Sequence, residues 1–154
     1  MDYTDILIPL RKIVRSVHLE SKKIQKECGL SIPQLLTLTF LSRCADFESS
    51  QLAIRKYLHL NSSTVTGIIA RLTDKGLVAK LPSAKDKRET WLSLTAKGLK
   101  QLTDSPPLLQ EKLATNLAKL SPNEYQTIQD GLTLLMQVMK AENEDPSPIS
   151  PLES

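Results

Sequence analysis

The sequence predicts a mainly α chain carrying one small β-hairpin, and three observations support this. Apolar residues recur at helical spacing near both ends and in the middle. Glycine is scarce, with 5 residues in 154, and aromatic residues make up 4%, which argues against a sandwich or barrel. Only the stretch Leu77 to Leu94 offers two short strand-like runs around a charged turn. With 40% hydrophobic and 24% charged residues, the chain is expected to be soluble and globular, one domain with attached helices.

Residues Thr4 to Glu27 form the first expected helix, with Ile6, Leu10, Ile13, Val17 and Ile24 near one stripe and Leu7 and Val14 beside it. Gly29 ends it. Ser31-Ile32-Pro33-Gln34 is a capping box, with Ser31 as N-cap and Gln34 at the third helical position, and opens an apolar helix to about Arg43. Asp46 to Ser50 reads as a polar break, followed by a short helix from Gln51 to Leu58. Asn61 caps a helix from Ser62 to about Lys75, which Gly76 terminates. Leu77–Leu81 and Glu89–Leu94 are the expected strands, joined by the charged turn Pro82–Lys87. Thr95 caps the next helix, which Pro106 and Pro107 interrupt, with a restart expected near Asp104 or Ser105. Ser121-Pro122-Asn123-Glu124 starts a last amphipathic helix to about Ala141, with Ile128, Leu132, Leu135 and Met139 on one stripe. Residues 142–154 carry three prolines and four acidic residues and read as a disordered acidic tail.

Charge is unevenly distributed along the chain. The net charge is +3, but between Ser49 and Lys100 ten basic residues stand against three acidic ones, a local +7 that leaves −4 for the remainder. Such an asymmetry points to a polyanionic partner, nucleic acid being the usual one. The order helix, helix, strand, charged turn, strand in this same segment is that of a winged helix-turn-helix, in which the second helix enters the major groove and the hairpin is the wing.

The residues that fill this pattern resemble the MarR family of bacterial transcriptional regulators. Leu60 to Leu72 is similar to that family's recognition helix, Lys75-Gly76-Leu77-Val78 to its exit into the wing, and Ser31 to Gln34 to the start of its second helix. Asp86-Lys87-Arg88 followed by Leu94-Thr95-Ala96-Lys97-Gly98 is similar to its wing signature, an Asp-x-Arg and a Leu-Thr-x-x-Gly. The close match covers Leu30 to Gly98, and the outer helices match only in placement and pattern.

On the Ser62 helix, Val65, Ile68, Ile69 and Leu72 cluster on the face expected to join the core. The opposite face carries Ser63, Thr66, Gly67 and Ala70, flanked by Thr64 and Arg71, with Asp74 outward near the end. These small side chains let a helix sit deep in a groove but leave few long donors. Direct base readout is therefore expected to be modest, with phosphate contacts and DNA shape carrying more. Ser62, Ser63, Thr64, Thr66 and Arg71 are the candidate contacts on this helix, and Lys85, Asp86, Lys87 and Arg88 those on the wing. By resemblance Arg88 enters the minor groove, and Asp86 holds its guanidinium by a charge-assisted bond. Arg55, Lys56 and Lys80 are further candidate phosphate contacts.

The middle segment has its own small core, so the apolar stripes of the terminal helices (residues 1–30 and 101–141) are surplus and suggest pairing with a second copy. The resemblance implies the same homodimer, acting as a repressor on a pseudo-palindromic operator with half-sites roughly one helical turn apart. It also implies a small aromatic or lipophilic effector that shifts the spacing of the recognition helices.

Other chemistry is not indicated. Cys28 and Cys44 lack partners at zinc spacing, and two cysteines make no disulfide scaffold, so a reducing, cytoplasmic setting is expected. Cys28, near Lys23 and Lys26, is the one redox candidate, since some family members sense oxidants through a first-helix cysteine. Cys44 and Trp91 read as packing residues, and His18 and His59 are solitary. No phosphate loop, nucleophile elbow or carboxylate pair is present, so neither catalysis nor a cofactor or metal is expected. No apolar run approaches a membrane span, and the acidic start is unlike a signal peptide. Two alternatives stay open: a cysteine-based redox regulator, and a winged-helix module that binds protein.

Overall fold

The computed structural model describes residues 1–82, 88–146 and 148. Seven helices and three strands follow in order: α1 (Thr4–Cys28), α2 (Ile32–Arg43), β1 (Glu48–Ser50), α3 (Gln51–Leu58), α4 (Ser62–Asp74), β2 (Val78–Leu81), β3 (Trp91–Leu94), α5 (Ala96–Asp104), α6 (Leu109–Leu117) and α7 (Pro122–Met139). The mainly α class with a small wing sheet holds. Among the described residues the chain divides into two compact units, residues 1–106 and residues 107–146.

In the first unit the buried side chains form the core of a winged helix-turn-helix. Leu35, Leu38 and Leu41 of α2, Ile54 and Leu58 of α3, Val65, Ile69 and Leu72 of α4, and Leu92 of β3 are almost wholly excluded from solvent. α2 is the centre of this core, packing against α3, α4, α5 and β3. It can be buried on nearly all sides because its polar groups are satisfied internally: Thr37 donates to the Pro33 carbonyl at 2.8 Å and Thr39 to the Leu35 carbonyl at 2.9 Å. Its capping box is formed, with Gln34 N–H on Ser31 Oγ and Ser31 N–H on Gln34 Oε1. Gly29 adopts φ 67° to end α1 and Gly76 φ 72° just beyond α4, where a side chain would be strained.

The expected two-stranded hairpin is in fact a three-stranded antiparallel sheet in the order β1-β3-β2. Glu48, Ser49 and Ser50 pair with Ser93, Leu92 and Trp91. The sequence presented this stretch as a polar break because three polar residues carry no alternation; the strand exists only through its ladder with β3, where Ser49 and Ser50 are buried. Ser50 then changes role within one residue, its hydroxyl accepting the Ala53 N–H to cap α3.

The second correction concerns the two prolines. The helix restarts at Leu109, not near Asp104 or Ser105. Each proline pushes the residue before it out of the helical region. Ser105 is accordingly extended (φ −81°, ψ 145°), and Leu108 is also extended. In the second unit α7 starts as expected: Ser121 N–H and Oγ donate to Glu124 Oε2 at 2.9 and 2.8 Å, and Glu124 N–H donates back to Ser121 Oγ. These two donated bonds hold the Glu124 carboxyl below its ordinary pKa, so this cap is intact at neutral pH and weakens as acid protonates the carboxylate.

Residues 142–146 and 148 carry no helix or strand; the rest of the proposed acidic tail lies outside the described residues. No helix among the described residues is long and apolar enough to cross a membrane.

Candidate nucleic-acid interface

α4 presents the two faces its spacing predicts. Val65, Ile68, Ile69 and Leu72 are buried, whereas Ser62, Ser63, Thr64, Thr66, Ala70, Arg71 and Asp74 are exposed and Gly67 is half-buried. The hydroxyls differ in availability. Asn61 Oδ1 caps the helix by accepting Thr64 N–H at 2.8 Å and also accepts the Ser63 hydroxyl at 2.9 Å. Thr66 Oγ1 lies 2.9 Å from both the Ser62 carbonyl and Gln51 Nε2. Among the described residues, no such bond engages the hydroxyls of Ser62 or Thr64.

The wing base and α4 meet in one cleft. Gln51, Leu52 and Arg55 of α3, Ser62 at the start of α4, and Arg88, Glu89 and Thr90 leading into β3 line a recess of about 440 Å³. Two guanidinium-bearing residues therefore share a polar recess with the first hydroxyl of α4. Gln51 ties its walls together: its N–H donates to the Thr90 carbonyl at 2.8 Å, while its side chain reaches Thr66. Sequence reasoning took Gln51 only as the start of a helix. No local signal marks it, because its two partners lie fifteen and thirty-nine positions away and are brought close by the crossing of α3 with α4 and the β1–β3 ladder.

Of the other expected wing residues, Lys85, Asp86 and Lys87 lie outside the described residues, so the Asp86–Arg88 bond does too. Lys56 and Lys80 are exposed but do not line the cleft, and Arg71 sits on the last turns of α4.

The second half of the wing signature is a lock. Thr95 Oγ1 donates to the Gly76 carbonyl at 2.7 Å and accepts Gly98 N–H at 3.0 Å, and Thr95 N–H donates to the Leu77 carbonyl. Lys97 Nζ donates to the Lys75 carbonyl at 2.8 Å. A Cβ on Gly98 would run into the Leu77 carbonyl oxygen and lie 2.7 Å from Leu94 Cδ1. The Lys75-Gly76-Leu77 and Thr95-x-x-Gly98 segments thus meet in space. They set the end of α4 and the start of β2 against α5, which fixes the wing base relative to the recognition helix.

Cys28 is half-buried at the end of α1; its carbonyl accepts Gln101 Nε2 at 3.2 Å, and nearby Lys23 faces Glu27 at 4.0 Å. Cys44 is also half-buried, with Sγ 3.3 Å from the Phe40 carbonyl. His59 closes α3 in a left-handed conformation, and His18 lies exposed on α1. Among the described residues no group of three His, Cys, Asp or Glu side chains could hold a metal ion.

Comparison with known proteins agrees with this geometry. The family model of the SarA/Rot transcriptional regulators matches residues 20–104, which spans α2, all three strands and α3 to α5. The chain is 30% identical over 123 residues to the HTH-type transcriptional regulator YkoM of Bacillus subtilis, covering 80% of this chain and 76% of the relative. It is 26% identical over 136 residues to YfiV, another HTH-type regulator of that organism, covering 88% and 84%. In fold it is similar to S. aureus MepR in its DNA complex, with a TM-score of 0.66 at 22% identity over 86% of this chain and 97% of that one. With a family model over more than half its length, the recognition helix, the wing and their lock all in place, the chain belongs to the SarA/Rot and MarR group of winged helix-turn-helix transcriptional regulators.

Proposed function

We propose that this regulator binds a pseudo-palindromic operator as a homodimer, with the start of α4 in the major groove and the Arg88 hairpin against the neighbouring minor groove. One observation carries the reading: Arg55, Ser62 and Arg88 line one polar cleft, so a single duplex backbone can meet the supporting helix, the recognition helix and the wing together. The exposed small residues of α4 let the helix sit close to base edges, and the local excess of positive charge supplies the sequence-independent part of the affinity. Ser62 and Thr64 keep their hydroxyls available for the duplex. Ser63, Thr66, Arg71, Lys85 and Lys87 complete the proposed contact set, and Asp86 supports Arg88.

A second copy of the chain fits the terminal helices. Ile6 and Ile13 of α1 are 59% and 58% exposed, and Leu132 and Met139 of α7 are 52% and 55% exposed. Exposed apolar stripes at helical spacing are the kind of surface that a second copy would cover. Sedimentation should therefore give twice the 17.2 kDa chain mass at micromolar concentration, and Leu132→Glu together with Met139→Glu should drive it to monomer. The MarR resemblance extends the proposal to repression relieved by a small aromatic or lipophilic effector.

The decisive experiment is selection of bound fragments from genomic DNA, followed by footprinting and a compound screen for release. Enrichment of a two-fold related site with half-sites about one helical turn apart is expected. Failure to enrich any duplex at low salt would sink the proposal. Gly67 gives a sharper check. A Cβ there meets nothing within 4 Å inside the protein, so Gly67→Ala should raise stability by about 0.5–1 kcal/mol through backbone entropy. The same methyl should weaken operator binding if α4 lies against the groove. Unchanged or tighter binding would remove that face of α4 from the contact.

A further inference from the structure

We infer that Thr66 reads DNA with its methyl group, recognising a thymine C5-methyl in each half-site, while the Ser62 carbonyl and Gln51 engage its hydroxyl. The inference rests on the DNA-binding proposal above. A threonine hydroxyl owns one proton and two lone pairs. At Thr66 it sits 2.9 Å from the Ser62 carbonyl and 2.9 Å from Gln51 Nε2. The carbonyl can only accept, so the proton lies toward Ser62 and Gln51 presents its amide N–H. Were the Gln51 amide turned the other way, the proton would go to its oxygen. In either arrangement the protein uses the proton, so Thr66 has none to offer a base acceptor, and what its hydroxyl keeps for a base is a lone pair.

The rest of this exposed side chain is the Cγ2 methyl, one helical turn from the exposed methyl of Ala70. In the major groove the matching apolar feature is the thymine C5-methyl, which distinguishes A·T from the other pairs without any hydrogen bond. Gln51 is itself anchored, its N–H on the Thr90 carbonyl, so the hydroxyl is held by the wing base and not by the recognition helix alone. Thr66 thereby becomes a specificity-determining residue.

The test uses the full-length chain and a selected operator in which each thymine is replaced in turn by deoxyuridine, which deletes only the C5-methyl. One thymine per half-site is expected to matter, with binding weakened about fourfold, the worth of one methyl removed from water. Thr66→Val keeps a methyl and lacks the hydroxyl; it should hold wild-type affinity within about twofold and keep the thymine preference. Thr66→Ser keeps the hydroxyl and lacks the methyl; it should bind thymine and uracil duplexes equally while its salt dependence stays that of the wild type. Circular dichroism of both variants controls for folding. A hydroxyl-reading Thr66 would give the opposite pattern, with Thr66→Ser intact and Thr66→Val impaired. That pattern, or a selected duplex in which every thymine methyl is silent, overturns the inference but leaves DNA binding standing. No selected duplex at all overturns the DNA reading itself.

Discussion

Gly98→Ala should lower the thermal unfolding midpoint by roughly 6–12 °C, the equivalent of about 3 kcal/mol in a chain of this length. The cause is steric and local. The new Cβ would overlap the Leu77 carbonyl oxygen, a backbone atom that also accepts Thr95 N–H at 3.2 Å, and would press Leu94 Cδ1 at 2.7 Å. A flexible side chain could swing aside, but a carbonyl at the start of the wing can move only if α5 or the sheet moves with it. Calorimetry or circular dichroism melting measures the effect. Gly67→Ala, with open space around its added carbon, is the internal comparison and should shift the midpoint in the opposite direction. A Gly98→Ala protein that melts within a degree or two of wild type would show that the lock between the end of α4 and α5 is not rigid.

The second large effect is on DNA. Replacing both Arg55 and Arg88 by alanine should weaken operator binding by roughly 2–6 kcal/mol, each arginine contributing about 1–3. Both line the same cleft, beside the single carboxylate of Glu89, so a duplex seated there meets two guanidinium groups within one recess. Removing them should also flatten the slope of log affinity against log salt, by roughly 2 for each protomer engaged, because fewer counterions leave the DNA. Fluorescence anisotropy at several salt concentrations, on the two single variants and the double, measures both quantities. The sum of the two single effects is the additive reference, and a departure of the double variant from it measures the coupling between the two arginines. A double variant with wild-type affinity and salt slope would move the DNA surface away from this cleft.

Much of this protein was legible in its residues because the signals are local. Capping at Ser31, Asn61, Thr95 and Ser121 involves atoms within three residues of each other, and each cap is found where the residue types require it. The buried and exposed faces of α4 follow from helical spacing alone, and the breaks come from residue type: glycine at positive φ at Gly29 and Gly76, and proline after Ser105. Family membership also comes from short contiguous motifs, which the matched segment 20–104 contains.

Tertiary structure decided what no window of sequence encodes. The polar run Glu48–Ser50 became a strand only because β3 offers it a ladder some forty residues away. Gln51 entered the site through the crossing of two helices, and Gly98 showed its purpose only where it touches the Leu77 carbonyl. Local chemistry sets which elements form. Which side chains face one another depends on long-range packing, as the contact between Gln51 and Thr66 shows.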